Sequence, residues 1–129
     1  MKKILMILFL IFLSVIYFSD IMINPQNIKF QIFDISSGLS QNTVNGIFQD
    51  KTGYIWMTTQ DGLNRFDGEE FFVFRNNSED KNSLSANTCS FITEDYSGNL
   101  WIGTNKGLNK FNSEKKEFTV FSSENTDNP

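Results

Sequence analysis

Asp50 and Asp95 are the residues of this chain whose type best suits them to chemistry, since a pair of carboxylates is what acid–base cleavage of a glycosidic bond requires. Each stands three residues before a glycine, in Asp50-Lys51-Thr52-Gly53 and Asp95-Tyr96-Ser97-Gly98. That order suits a β-turn in which the aspartate accepts hydrogen bonds from its own backbone, so capping is the expected role and no catalytic residue is assigned. Cys89 is the single thiol and stands where Val44 stands 45 residues earlier, which makes it a small buried hydrophobe rather than a nucleophile. The 129 residues include no histidine. Ser-His-Asp and Cys-His catalysis, ordinary zinc sites and a histidine phosphoacceptor are thereby excluded from this polypeptide. The glycines lack G-x-G-x-x-G or P-loop spacing, so neither a metal nor a cofactor is implied. Lys115-Lys116 reads as solvated turn charge.

An internal repeat positions these residues. Leu39-Ser40-Gln41-Asn42-Thr43 returns as Leu84-Ser85-Ala86-Asn87-Thr88, and Asp50, Gly53, Trp56, Thr59, Gly62, Leu63, Asn64 and Phe66 each return 45 positions later. The returning residues include Asp95, Gly98, Trp101, Thr104, Gly107 and Leu108, with Gly103 added in the second copy. Within each copy, apolar and β-branched runs alternate with Asp, Asn and Gly turns. Strands are expected at residues 43–49, 54–59, 63–66 and 71–75, and again at 88–94, 99–104, 108–111 and 118–121. An F-x-[IV]-F pattern marks residues 30–33, 71–74 and 118–121 as three equivalent strands. Outside the leader no window holds a 3.6-residue apolar period, so helical repeats are excluded. Four short antiparallel strands per repeat make an all-β fold of two β-propeller blades, an incomplete propeller preceded by an N-terminal apolar helix. Trp56 and Trp101 are expected to pack between blades.

The expected organisation is a signal peptide or membrane anchor at 1–23, a linker and first blade-type strand at 24–33, repeats at 34–75 and 76–121, and the start of a truncated third repeat at 122–129. Lys2 and Lys3 precede an uncharged apolar run over residues 4–19, closed by Asp20, which is the layout of an export signal. Cleavage and retention as an anchor stay open, because a 16-residue helix spans only about 24 Å. Residues after Asp20 are expected outside the cytoplasm. The net charge is −4, or −6 without the two leader lysines, and no basic stripe is present, so nucleic acid is not an expected partner. Asp61 and Lys106 mark an equivalent but variable loop position, and loops at one face are where recognition is expected. No ligand-binding residue is assigned.

Asp50 to Thr59 with Gly62-Leu63, Asp95 to Thr104 with Gly107-Leu108, and the opening Gly38-Leu39-Ser40-Gln41-Asn42-Thr43-Val44 together resemble the two-component regulator propeller repeat. The second copy carries the Trp-Ile-Gly-Thr form, while Met57 and Thr58 replace Ile and Gly in the first. The resemblance implies a periplasmic sensor region in which several blades form paired propellers ahead of a membrane helix and a histidine kinase output. It further implies an oligosaccharide ligand, and the remaining propeller blades as structural partners. None of that output lies in this chain, so no enzyme activity is expected of it. Two other readings stay open, an exported propeller-type carbohydrate-active enzyme fragment and a propeller interaction protein completed by oligomerisation.

Overall fold

Each strand starts where a turn residue yields to a β-branched or aromatic run, and the computed structural model, which describes residues 29–122, orders eight of them. β1 (Val44–Gln49), β2 (Ile55–Thr59), β3 (Gly62–Phe66) and β4 (Phe71–Phe74) make one antiparallel sheet in the order β1-β2-β3-β4. β5 (Cys89–Glu94), β6 (Leu100–Thr104), β7 (Gly107–Asn112) and β8 (Glu117–Phe121) make a second in the order β5-β6-β7-β8. Both belong to one compact unit that begins at Phe33. The registers repeat: Thr59 pairs with Gly62 and Thr104 with Gly107 across two-residue hairpins. Gly62 (φ +122°) and Gly107 (φ +132°) lie where an L side chain is strained, and a Cβ there would also strike the Phe74 or Phe121 carbonyl. A bulge after Val44 and another after Cys89 insert one extra residue, which increases the twist of the first strand of each sheet.

The core lies between the sheets. Trp56 stacks on Phe74 at 5.8 Å, and both meet Phe111 edge-on, at 5.4 and 5.1 Å. Phe118, Leu63, Leu84, Cys89, Leu100 and Ile102 complete the cluster. Its aromatic members supply area and preferred ring geometry together, each edge-to-face pair adding about 0.5–1.5 kcal/mol beyond burial. Asn45 Nδ2 donates to the Cys89 carbonyl at 2.8 Å and ties β1 to β5.

Residues 30–33, expected as a strand, form none. Among the described residues no neighbouring strand offers their backbone a ladder, and without one a single extended segment has nowhere to direct its amides. A short 3-10 helix at Ile35–Ser37, absent from the sequence-based expectations, follows instead. Asp34 caps it, accepting from the Ser36 and Ser37 amides. The leader at residues 1–23, the linker through residue 28 and the third-repeat start at 123–129 lie outside the described residues. Among the described residues no helix is long and apolar enough to cross a membrane.

Candidate functional site

The turn aspartates reach beyond their turns. Asp50 accepts from the Thr52 and Tyr54 amides at 2.9 and 3.0 Å and from the Thr52 hydroxyl, and its second oxygen accepts the Trp56 indole N–H at 2.7 Å. Asp95 repeats this with the Ser97 and Asn99 amides, the Asn99 side chain and the Trp101 indole at 2.9 Å. Each carboxylate thus clamps a turn to the tryptophan of the following strand. Burial alone would raise the Asp50 carboxyl, but the bonds from Thr52, Trp56 and Tyr54 outweigh it and hold the group below the ordinary carboxylate range. The Trp101 indole and Asn99 lower Asp95 further. Both stay ionised at neutral pH and accept several hydrogen bonds in that form, which suits neither to donate a proton in general acid catalysis.

A second polar set recurs at the opposite end of each central hairpin. Asn64 Oδ1 accepts the Ser40 amide at 2.8 Å while Asn64 Nδ2 donates to Ser40 Oγ, also at 2.8 Å. Ser40 Oγ and Thr59 Oγ1 are 2.8 Å apart, and Thr59 donates to the Gly62 carbonyl. Because a hydroxyl has one proton, Ser40 must supply the bond it shares with Thr59. Ser85, Thr104 and Asn109 reproduce the network at 2.7–2.9 Å, with Thr104 donating to Gly107. With no histidine to activate either serine, these hydroxyls fasten the segment entering each sheet to its hairpin.

Cys89 is fully buried, and burial pushes its thiol up to about 12. Gly103 lies opposite Phe91, whose ring occupies the space where a Cβ would stand. The equivalent pair in the first sheet is Gly46 opposite Thr58. Between the sheets a cleft of about 300 Å³ is bordered by Asp50, Tyr54, Arg65, Glu94, Ser113 and Lys116. The Arg65 guanidinium lies 4.6 Å over the Tyr54 ring, and its buried Nε has no hydrogen-bond partner. Among the described residues no three His, Cys, Asp or Glu side chains gather as a metal site.

The family model described as "Two component regulator propeller" matches residues 38–61 and 83–106, the segments that carry both aspartate–tryptophan clamps and the first two strands of each sheet. Those two segments match the two-component regulator propeller repeat. A protein named histidine kinase P4, from Formosa agariphila, is 47% identical over 74 residues, covering 54% of this chain and 5% of that protein. The extracellular domain of the putative hybrid two component system BT3049 from B. thetaiotaomicron superposes with a TM-score of 0.64 at 37% identity, over 70% of this chain and 13% of that domain. The extracellular domain of the putative hybrid two component system BT4673 from the same organism gives 0.61 at 28% identity, over 74% and 14%. This chain therefore spans a small part of the length of its relatives.

In regulator propeller terms, Trp56 packs between two blades, whereas Trp101 is half-buried on the far face of the second, against Phe121 at 5.6 Å. Gly53 and Gly98 close the clamp turns, their amides donating to the Asp50 and Asp95 carbonyls. Leu63 is buried in the core and Leu108 is half-buried. The Ser–Thr–Asn network was not anticipated. Its signal was present, since all three residues return 45 positions later, but their spacing of 19 and 24 residues has meaning only once the hairpin is folded.

Proposed function

We propose that these blades form part of the extracytoplasmic, ligand-sensing region of a two-component signalling protein, with signalling chemistry carried by other parts of that protein. The observation that carries this reading is the superposition on the extracellular domain of a hybrid two-component system at 37% identity. The export-type leader at residues 4–19 and the acidic surface agree with it, and an uncleaved leader would associate with the membrane. The ligand on this reading is an oligosaccharide. The inter-blade cleft sets an aromatic ring, Tyr54, beside carboxylates and a cation, the mixture that stacks on a sugar face and bonds its hydroxyls.

The carbohydrate-active alternative would need Asp50 or Asp95 as an acid, and both are committed to tryptophan clamps. Two experiments test the proposal. Sequencing the coding region around these residues should reveal further repeats, a membrane segment and a kinase; unrelated neighbouring genes on both sides of a complete reading frame would refute it. Calorimetric titration of the full-length sensor with neutral and acidic oligosaccharides should find a saturable binder, and the glycan assignment fails if only another ligand class binds.

A further inference from the structure

Positions that fail to repeat gather beside the cleft between the sheets. Residues that both blades need return in register, Asp50 as Asp95 and Trp56 as Trp101, whereas Tyr54 answers to Asn99, Arg65 to Lys110 and Phe72 to Thr119. The three exceptions lie together. The Arg65 guanidinium stands 4.6 Å over the Tyr54 ring and 5.5 Å over the Phe72 ring, the two aromatic groups that the second blade lacks. Asn99 instead sends its side-chain amide to Asp95. Ring faces attract a cation without accepting the N–H groups in its plane, and Arg65 Nε is buried with no hydrogen-bond partner. The one ion pair among the described residues joins Arg75 to Asp61, so no carboxylate holds Arg65.

Lys116 borders the same cleft from the turn between β7 and β8, and among the described residues it is the one non-glycine residue at positive φ, 58°. It too lacks a carboxylate partner. The acids of the cleft are placed differently. Asp50 accepts bonds from Thr52, Tyr54 and Trp56, and Glu94 accepts the Lys51 amide at 3.3 Å. The balance of unpaired groups, rather than of formal charge, therefore favours an anion. On the reading that these blades sense an oligosaccharide, we propose that the cleft is an anion subsite in which the Arg65 terminal nitrogens and Lys116 Nζ bind an acidic group of that sugar, a uronate carboxylate or a sulfate ester. A guanidinium already oriented by two rings meets either group with parallel N–H bonds, where a lysine would offer a point charge. At about 300 Å³ the cleft is at the small end of ligand pockets, which suits it to one charged unit rather than a whole chain.

The test probes the full-length sensor on a glycan array carrying oligomers of galacturonate, guluronate and mannuronate, sulfated galactans, and neutral glucans, mannans and xylans. Binding should fall on the acidic members, with the uronate and sulfate arms showing which anion is used. Calorimetry on the best binder should then find affinity about 10-fold weaker for Arg65→Lys and for Lys116→Gln, and about 100-fold weaker for Arg65→Gln. Arg65→Lys keeps the stem and charge, so its thermal midpoint and that of Lys116→Gln should stay at the wild-type value. Binding of neutral oligosaccharides alone, or acidic binding that Arg65→Lys and Lys116→Gln leave unchanged, would overturn the anion subsite and leave the oligosaccharide reading intact. An array with no binder would overturn both.

Discussion

The Asp50–Trp56 bond joins a polar turn to the inter-blade aromatic core, and the Asp95–Trp101 bond joins the equivalent turn to the half-buried ring on the second blade's far face, through one side-chain contact each. Replacing Asp50 with alanine leaves a largely buried indole N–H without its acceptor, which should lower unfolding free energy in urea by about 1–3 kcal/mol. In a Trp56→Phe background, where no indole remains, the same change should cost measurably less, and additive effects would show the bond contributes nothing. The sign of the acid response follows from the lowered carboxyls of both aspartates. A group with a depressed folded value contributes stability above its unfolded value, 3.8 for these groups, and loses it as pH falls toward the folded one. Thermal midpoints should therefore fall steadily below about pH 4, and a D50N/D95N double variant should show a flatter decline over that interval. Cys89, buried with its thiol raised to about 12, should resist a thiol reagent at pH 8 until urea unfolds the chain. Labelling of the native chain at the rate of free cysteine would contradict its position in the core.

At the scale of strands, the two blades solve one packing problem in opposite ways. The first sets Gly46 against Thr58, and the second sets Phe91 against Gly103, so bulk sits on either strand but not on both. A Gly103→Ala change should place a methyl inside the Phe91 ring and cost about 1–3 kcal/mol by overpacking. Adding Phe91→Ala should recover part of the loss, which a double-mutant cycle in urea would measure as a favourable coupling; simple additivity would refute the pairing. This complementarity explains why the first repeat departs from Trp-Ile-Gly-Thr at Thr58. From sequence, the departure at residue 58 and the Phe for Gly at residue 91 look like unrelated drift, since their link exists only across the sheet. Strand identity was legible because turn glycines and aromatic runs recur at 45 residues, and the eight observed strands differ from expectation by a residue or so at their ends. Residues 30–33 were misjudged for the complementary reason. Their pattern specifies a strand, but a strand also needs a neighbour, which no local pattern supplies.

For the molecule as a whole, the decisive asymmetry lies between faces of equivalent composition. Trp56 and Phe74 are covered by Phe111 and Phe118, leaving Trp56 1% exposed, whereas the corresponding Trp101 and Phe121 pack on each other with Phe121 48% exposed. The outer edges of β4 and β8 and the inner edges of β1 and β5 also lack ladder partners within their sheets. Apolar faces combined with open strand edges favour association, so midpoints should shift with protein concentration and sedimentation should detect oligomers. Two alanine variants separate folding from association. Phe74→Ala removes a ring from the inter-blade core and should cost about 3–5 kcal/mol. Phe121→Ala removes one from the uncovered face, so it should destabilise the chain far less while reducing the oligomeric fraction. A concentration-independent melt of a monomer, or equal losses from both variants, would mean that the second blade's outer face is not a surface on which the protein associates.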